Sequence, residues 1–322
     1  YLIETCGYQA NRIIAVTFTN KAANEMRERI AGVLPSNTRR GLKVATFHTL
    51  GLTIIKQHVG ECGLKSGFSI FDQEDCQQIM KGLLPQGIAN AREDLFQVQH
   101  QISEWKNSLI APHQVQVCDE NVMAQQAAKI YPLYQKTLRA YNAVDFDDLI
   151  QLPVDLLKNH SDILEFWQNK INHLLIDEYQ DSNVSQYEFV KLLVGLQAKF
   201  TVVGDDDQSI YAWRGARPEN LAKLEEDFPQ LKIIKLEQNY RSTGRILASA
   251  NHLISHNPHL FEKKLWSELG EGDLLRVVSC RDEHHETEQV VMDLISHKLR
   301  FGTKFGDYAI LYRGNHQARL FE

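Results

Sequence analysis

Cysteine is scarce in this chain, and its spacing excludes some classes of protein. Five cysteines stand among 322 residues, at positions 6, 62, 76, 118 and 280. No two of them form a Cys-x-x-Cys pair, so neither a disulfide framework nor a zinc site is indicated. Reduced thiols, as in a cytoplasmic protein, are expected instead.

Long apolar runs and an excess of positive charge are also absent. No stretch of about eighteen apolar residues occurs, so neither a transmembrane helix nor a membrane partner is expected. The start, Tyr1-Leu2-Ile3-Glu4, lacks the basic residues and long apolar stretch of a secretory signal. The formal net charge of −6 argues against a broad electrostatic grip on duplex DNA. It leaves open a narrow groove in which single-stranded bases stack on aromatic rings.

Two apolar runs that end in acidic residues are the most informative feature present. His173–Ile176 leads into Asp177 and Glu178, and 200–203 leads into an Asp-Asp-Asp-Gln segment that ends at Gln208. This pattern is typical of buried parallel strands whose carboxyl ends open into a phosphate-binding crevice. Asp177 is a candidate Mg²⁺ ligand, directly or through water, Glu178 a candidate base for the attacking water, and Gln208 a candidate sensor of the terminal phosphate. Each run taken alone fits a turn or a helix start equally well.

A segment rich in aromatic residues follows the second run. Tyr211 and Trp213 precede Arg214 in Ser-Ile-Tyr-Ala-Trp-Arg-Gly-Ala, residues 209–216. Single-stranded bases stack on such rings, and an arginine can contact the phosphate backbone or a base face. The segment is therefore a candidate DNA-binding loop.

Five ordered motifs resemble those of superfamily 1 DNA helicases of the UvrD/Rep type, nearest to the Rep branch. They are Thr-Phe-Thr-Asn-Lys-Ala-Ala at 17–23, Thr-Phe-His-Thr at 46–49, Asp-Glu-Tyr-Gln-Asp at 177–181, Val-Val-Gly-Asp-Asp-Asp-Gln-Ser-Ile-Tyr-x-Trp-Arg-Gly-Ala at 202–216 and Gln-Asn-Tyr-Arg-Ser at 238–242. Leu-Tyr-Arg at 311–313 resembles a later one. The similarity extends along nearly the whole chain.

The resemblance implies an α/β fold, with RecA-like P-loop NTPase parallel sheets and an all-helical insertion. It implies an ATP- and Mg²⁺-dependent translocase that moves 3′ to 5′ on single-stranded DNA and opens DNA forks in replication or repair. Tyr240 would stack on the adenine and Arg241 would reach the γ-phosphate, although in isolation the two fit an ordinary surface pair. The implied DNA contacts are Thr17, Phe18, Thr19, Asn20, Thr46, His48, Tyr211, Trp213 and Arg214. For Phe18, a place in the core of its strand is the alternative.

The phosphate loop of such enzymes, Gly-x-x-x-x-Gly-Lys-Ser/Thr, does not occur in the sequence. We therefore expect an internal fragment that is inactive alone. Its first motor domain would comprise residues 1–60 and 160–236, its helical insertion 61–159, and the start of a second motor domain 237–322. A non-catalytic remnant that binds single-stranded DNA is the alternative, and a helicase–nuclease subunit is a third.

Periodicity predicts where the secondary structure lies. Strands are expected at 12–19, 42–47, 174–177, 201–204, 233–236, 275–279 and 308–312, and none between 60 and 160. Helices are expected at 21–34 with Asn20 as N-cap, and at 49–59, 72–84, 93–108, 120–141, 146–158, 185–196, 245–256 and 286–299. The acids at 145, 147 and 148 are interpreted as helix-start residues rather than a metal cluster.

Overall fold

The computed structural model describes residues 1–84, 92–117, 121–195 and 199–322, apart from the side chains of Arg92, Arg214 and Asn315. The chain divides into two compact units. The first comprises Tyr1–Ile234 and Pro258–Glu262, and the second comprises Lys235–Asn257 and Lys263–Glu322. Among the described residues, no helix is long and apolar enough to cross a membrane.

A parallel sheet forms the centre of the first unit. The strands of this unit are β1 (Ile13–Thr17), β2 (Lys43–Thr46), β3 (Ser69–Ile70), β4 (Ala143–Val144), β5 (His173–Ile176) and β6 (Lys199–Val202). Four of them form one sheet in the order β2-β1-β5-β6, with every neighbouring pair parallel. Side chains of β1 are buried on both faces of the sheet. The α/β fold class with parallel strands is confirmed.

Helices cover this sheet and build the insertion. They are α1 (Asn20–Val33), α2 (Phe47–Gln57), α3 (Gln73–Leu83), α4 (Arg92–Asn107), α5 (Val122–Ala140), α6 (Asp148–Asn159), α7 (Ser161–Lys170), α8 (Val184–Val194) and α9 (Glu219–Asp227). One apolar core joins residues of the sheet to α2, α6, α7 and α8. The predicted helix ends at Glu120 and Leu196 lie outside the described residues.

The N-cap of α1 differs from the prediction. Thr19, not Asn20, has the extended backbone of a cap, and its hydroxyl accepts a hydrogen bond from the Ala22 N–H. Asn20 is already the first residue of the helix. Both residue types suit the cap position, so composition alone did not separate them.

The region 60–160 holds a second, mostly helical core, in which α3, α4 and α5 pack together. The expectation of no strands there was wrong, because β3 and β4 pair in parallel. Each strand has only two residues, which is too short for an alternating apolar pattern to show in the sequence.

A buried ion cluster joins this core to α6. Lys106 is 1% exposed, and its Nζ lies 2.7 Å from Asp145 Oδ2 and 2.7 Å from Asp148 Oδ1. Burial would lower the pKa of Lys106, but the two carboxylates outweigh it and raise the pKa. Asp148 does open α6, as a first-turn acid should, yet Asp147 at the cap position makes no capping bond through its side chain. The Asp148 N–H also donates to Asp145 Oδ1 at 2.8 Å, so the acidic segment both starts α6 and pairs with a buried lysine.

The second unit contains helices α10 (Gly244–Ile254) and α11 (Glu283–Phe301). The strands predicted at 233–236, 275–279 and 308–312 were wrong, since these residues form no ladder in the described chain. An isolated bridge joins Gln238 to Trp266. Apolar side chains in these segments are exposed, among them Leu236 at 81%, Val277 at 96% and Leu311 at 93%. A strand requires a hydrogen-bonded neighbour along its length, and none of these three segments has one among the described residues.

Candidate active site

The carboxyl ends of β5 and β6 lie side by side. Ile176 pairs with both Val16 and Val202 in the parallel register. Beyond the strands, the Asp177 N–H donates to the Val16 carbonyl at 3.0 Å, and the Val203 N–H donates to the Ile176 carbonyl at 2.8 Å. The predicted adjacency of the two acid-ended runs is confirmed.

Asp177 and Glu178 stand at the end of β5 in different environments. Asp177 is half-buried, and burial, followed by the Glu178 carboxylate, raises its pKa. Glu178 is exposed and has a left-handed backbone, with φ of 53°. That conformation is uncommon for a residue with a side chain, and strain of this kind concentrates at functional sites.

Gln180 connects the two strand ends, and sequence reasoning assigned it no role. It is 1% exposed, and its side-chain Nε2 donates to Glu178 Oε2 at 2.8 Å. Its Oε1 accepts from the backbone N–H of Asp205 at 3.0 Å. Asp205 Oδ2 in turn accepts from Gln208 Nε2 at 2.6 Å. A hydrogen-bonded path thus runs from Glu178 to Gln208.

Asp181 is a second residue that sequence reasoning left without a role. Burial, followed by the charge of Glu178, raises the pKa of Asp181 to about 6. Its buried Oδ1 has no hydrogen-bond partner among the described residues. The site therefore concentrates three carboxyl groups, those of Asp177, Glu178 and Asp181, at one sheet edge.

The aromatic segment forms a short helical turn next to this edge. The turn spans Ala212–Arg214 and ends at Gly215, whose φ of 81° favours glycine. Trp213 is 57% exposed, and its ring centroid lies 6.3 Å from that of Tyr211. The Trp213 carbonyl also lies 3.3 Å from Nε2 of His100 in α4. The side chain of Arg214 lies outside the described residues.

Buried polar contacts hold the residues that follow this turn against the loop after β5. The Arg217 N–H donates to the Ser182 carbonyl at 2.9 Å. Asn220, which is 1% exposed, donates through Nδ2 to the Ser182 carbonyl at 3.0 Å and to the Asn183 carbonyl at 3.2 Å. Asn183 also accepts through its own side chain as the N-cap of α8. The acid-ended loop and the aromatic turn are therefore parts of one hydrogen-bonded assembly.

The polar residues predicted after β1 and β2 lie at the same edge of the sheet, because Thr17 pairs with Thr46. Thr17 is 1% exposed and its hydroxyl has no partner among the described residues. Thr46 is 6% exposed and caps α2 by accepting from the Thr49 N–H.

The aromatic and imidazole rings of this edge are only partly accessible. Phe18 is half-buried, with its ring centroid 5.1 Å from that of Phe47. His48 packs edge-on against Phe146, and burial lowers its pKa. Thr19 and Asn20 are exposed.

Tyr240 and Arg241 lie in the second unit. Tyr240 is 78% exposed, and its hydroxyl donates to Gln238 Oε1 at 2.8 Å. The backbone N–H groups of Arg241 and Ser242 donate to the Asn239 side chain at 2.9 and 2.8 Å. Asn239 thus shapes the turn that carries both candidates.

Comparison with known proteins gives a consistent result. Residues 1–229 match the UvrD/REP helicase N-terminal domain, and residues 234–322 match the UvrD-like helicase C-terminal domain. The chain is 55% identical over 322 residues to the ATP-dependent DNA helicase Rep of Salmonella typhimurium and to that of Escherichia coli, in each case over 100% of this chain and 48% of the relative. It is 39% identical over 323 residues to the ATP-dependent DNA helicase PcrA of Leuconostoc citreum, covering 43% of that protein.

The chain spans about half the length of the curated relatives it matches. The N-terminal domain match covers most of the chain, and the acid-ended strands and the aromatic turn lie inside it. The chain belongs to the UvrD/REP helicase family.

Proposed function

We propose that this chain is part of an ATP-dependent DNA helicase that translocates 3′ to 5′ on single-stranded DNA and opens forks in replication or repair. Family membership and the names of its relatives support this activity. The single structural observation that carries the proposal is the meeting of two acid-ended strands beside an exposed tryptophan turn. The same proposal assigns the protein to the cytoplasm.

In this proposal the end of β5 carries the ATP chemistry. Glu178 accepts a proton from the water that attacks the γ-phosphate, and the exposed Gln208 contacts that phosphate. Asp177 fits a Mg²⁺ ligand, because its carboxylate is a hard oxygen donor and its raised pKa indicates negative charge that a cation would stabilise. Bound Mg²⁺ would neutralise charge on the β- and γ-phosphates. The proposal also assigns Tyr240 to stacking on the base and Arg241 to stabilising the phosphate charge.

The DNA path in this proposal follows the aromatic turn. Tyr211 and Trp213 supply stacking surfaces worth roughly 1–3 kcal/mol per base. Arg214 and the short polar side chains at the ends of β1 and β2 supply backbone contacts. The hydrogen bonds of Asn220 to the loop after β5 support a direct mechanical link from nucleotide to DNA.

We assign residues 1–60 and 160–236 to the first motor domain, 61–159 to the helical insertion and 237–322 to the second motor domain. The division of the chain into compact units at Ile234 and Lys235 supports the last boundary.

Glu178→Gln in the whole protein tests the proposal. The exchange keeps the shape of the side chain and removes the base, so DNA-stimulated ATP turnover should fall by roughly 10²–10⁴-fold. Affinity for single-stranded DNA should stay the same, as measured by fluorescence anisotropy. Glu225→Gln, an exposed glutamate in α9, is the matched control and should turn over normally.

Two outcomes would contradict the proposal. Turnover that persists in Glu178→Gln would remove Glu178 from its assigned role. A whole protein that binds single-stranded DNA but hydrolyses no ATP would instead favour the non-catalytic binding module. The 322-residue chain, assayed beside the whole protein, should bind single-stranded DNA weakly and hydrolyse no ATP.

A further inference from the structure

Gln180 is almost fully buried, yet both ends of its side-chain amide are engaged at the site. Its Nε2 donates to Glu178 Oε2 at 2.8 Å, and its Oε1 accepts from the Asp205 N–H at 3.0 Å. Its backbone carbonyl also accepts from the Ser209 hydroxyl at 3.4 Å. One side chain therefore bridges the loop after β5 and the loop after β6.

The packing around Gln180 leaves its amide little freedom. A Cβ placed on Gly204 would lie 3.0 Å from Gln180 Oε1 and 3.2 Å from Leu221 Cδ2, so glycine permits this close approach. At 1% exposure, Gln180 is shielded from the solvent that could replace either hydrogen bond. Leaving a buried amide unsatisfied is costly, and the bonded arrangement is therefore strongly preferred.

Among the described residues, the bond from Gln180 is the hydrogen bond that restrains the Glu178 side chain. Its backbone is left-handed and its side chain is exposed, so rotation about its side-chain bonds would move the carboxylate away from a fixed position. The bond from Gln180 engages Oε2, one of the two carboxylate oxygens. A general base must lie within hydrogen-bond reach of the proton that it removes.

We propose that Gln180 is a positioning residue. It holds the Glu178 carboxylate at a fixed position relative to the loop that carries Gln208. The inference rests on the proposed role of Glu178 as the base. The path Glu178–Gln180–Asp205–Gln208 carries it, since each link is a hydrogen bond of 2.6 to 3.0 Å.

Two variants of the whole protein separate positioning from general stability. Gln180→Met keeps an apolar stem and removes both hydrogen bonds. Gln180→Glu keeps the acceptor for the Asp205 N–H but replaces the donor to Glu178 by a second carboxylate. Both should lower kcat for DNA-stimulated ATP hydrolysis by about ten- to a hundredfold, the size expected for a displaced reacting group. KM for ATP and affinity for single-stranded DNA should change by less than about twofold, since positioning affects the transition state alone. Gln151→Met, at a buried glutamine of α6, is the control and should leave kcat unchanged.

A double variant distinguishes this inference from the proposed function. Gln180→Met added to Glu178→Gln should slow turnover no further, because Gln180 acts through Glu178. If Glu178→Gln is inactive while both Gln180 variants keep full kcat, the positioning role is overturned and the proposed function stands. If kcat, KM and urea stability all worsen together in both variants, Gln180 is only structural and the inference is overturned. If Glu178→Gln itself turns over normally, the assignment of Glu178 fails and this inference fails with it.

Discussion

Lys106→Met removes the positive charge of the buried ion cluster while keeping a linear side chain of similar size. Lys106 is 0% exposed in its side chain, and Asp145 and Asp148 are 9% and 2% exposed. The exchange leaves two buried carboxylates without their cation. Breaking one buried ion pair in this way costs about 3–5 kcal/mol. Little is added for a cavity, because methionine fills most of the space. The expected loss, about 4 kcal/mol, is a large part of the 5–15 kcal/mol that stabilises a typical domain.

Urea unfolding followed by tryptophan fluorescence measures this loss. Trp105 precedes the lysine in α4, and its ring stacks on that of Tyr131, so its emission reports on this core. Lys136→Met, an exposed lysine of α5, is the control and should change stability by less than about 0.5 kcal/mol. Adding Asp145→Asn and Asp148→Asn to Lys106→Met should restore much of the loss, because the unpaired charges are then gone. A loss below about 1 kcal/mol for Lys106→Met would refute the argument.

Further predictions concern the site. Trp213→Ala in the whole protein should weaken single-stranded DNA binding by about 1–3 kcal/mol in anisotropy titrations. Phe166→Ala, at an exposed aromatic residue of α7, is the control and should leave the affinity unchanged. An affinity of Trp213→Ala equal to that of the unaltered protein would exclude stacking on Trp213. Asp181→Asn should stabilise the fold at pH 7.5. The pKa of Asp181 is about 6 in the folded protein, which exceeds its value in the unfolded chain, so folding favours the protonated carboxyl group. The free energy of unfolding that Asp181 contributes is therefore fully present below about pH 4 and is lost as the pH rises through 6. Asparagine stays neutral and avoids this loss. After discounting for partial exposure, the gain in urea unfolding is under about 1 kcal/mol, and it should vanish at pH 4; a gain that persists there would contradict this cause. Asn220→Ala should lower the free energy of unfolding by about 1–3 kcal/mol, because the carbonyls of Ser182 and Asn183 lose their donor. An unchanged midpoint of urea unfolding would show that these two carbonyls find other donors.

Elements with a local residue pattern could be predicted from the sequence. Alternating strand and helix signals predicted the parallel sheet. Apolar runs that end in Asp177-Glu178 and in the segment before Gln208 predicted two neighbouring strands, which β5 and β6 are. Such strands can be recognised in a sequence because a buried parallel strand is apolar on both faces and is followed directly by polar residues. Each predicted helix has a counterpart among the described residues, with ends that shift by a few residues, whereas α7 and α9 were not predicted.

Contacts between residues that are distant in the chain became evident from the folded structure alone. Lys106 and Asp145 are separated by 39 positions, and neither shows a local pattern that indicates its partner. Gln180 and Asp205 are 25 positions apart, so the bridge between the two loops is invisible in either motif. The strands predicted at 275–279 and 308–312, which the structure does not form, show that local pattern alone does not establish a strand. Apolar residues such as Val277 favour an extended backbone, but a strand forms only where a neighbouring strand accepts its hydrogen bonds.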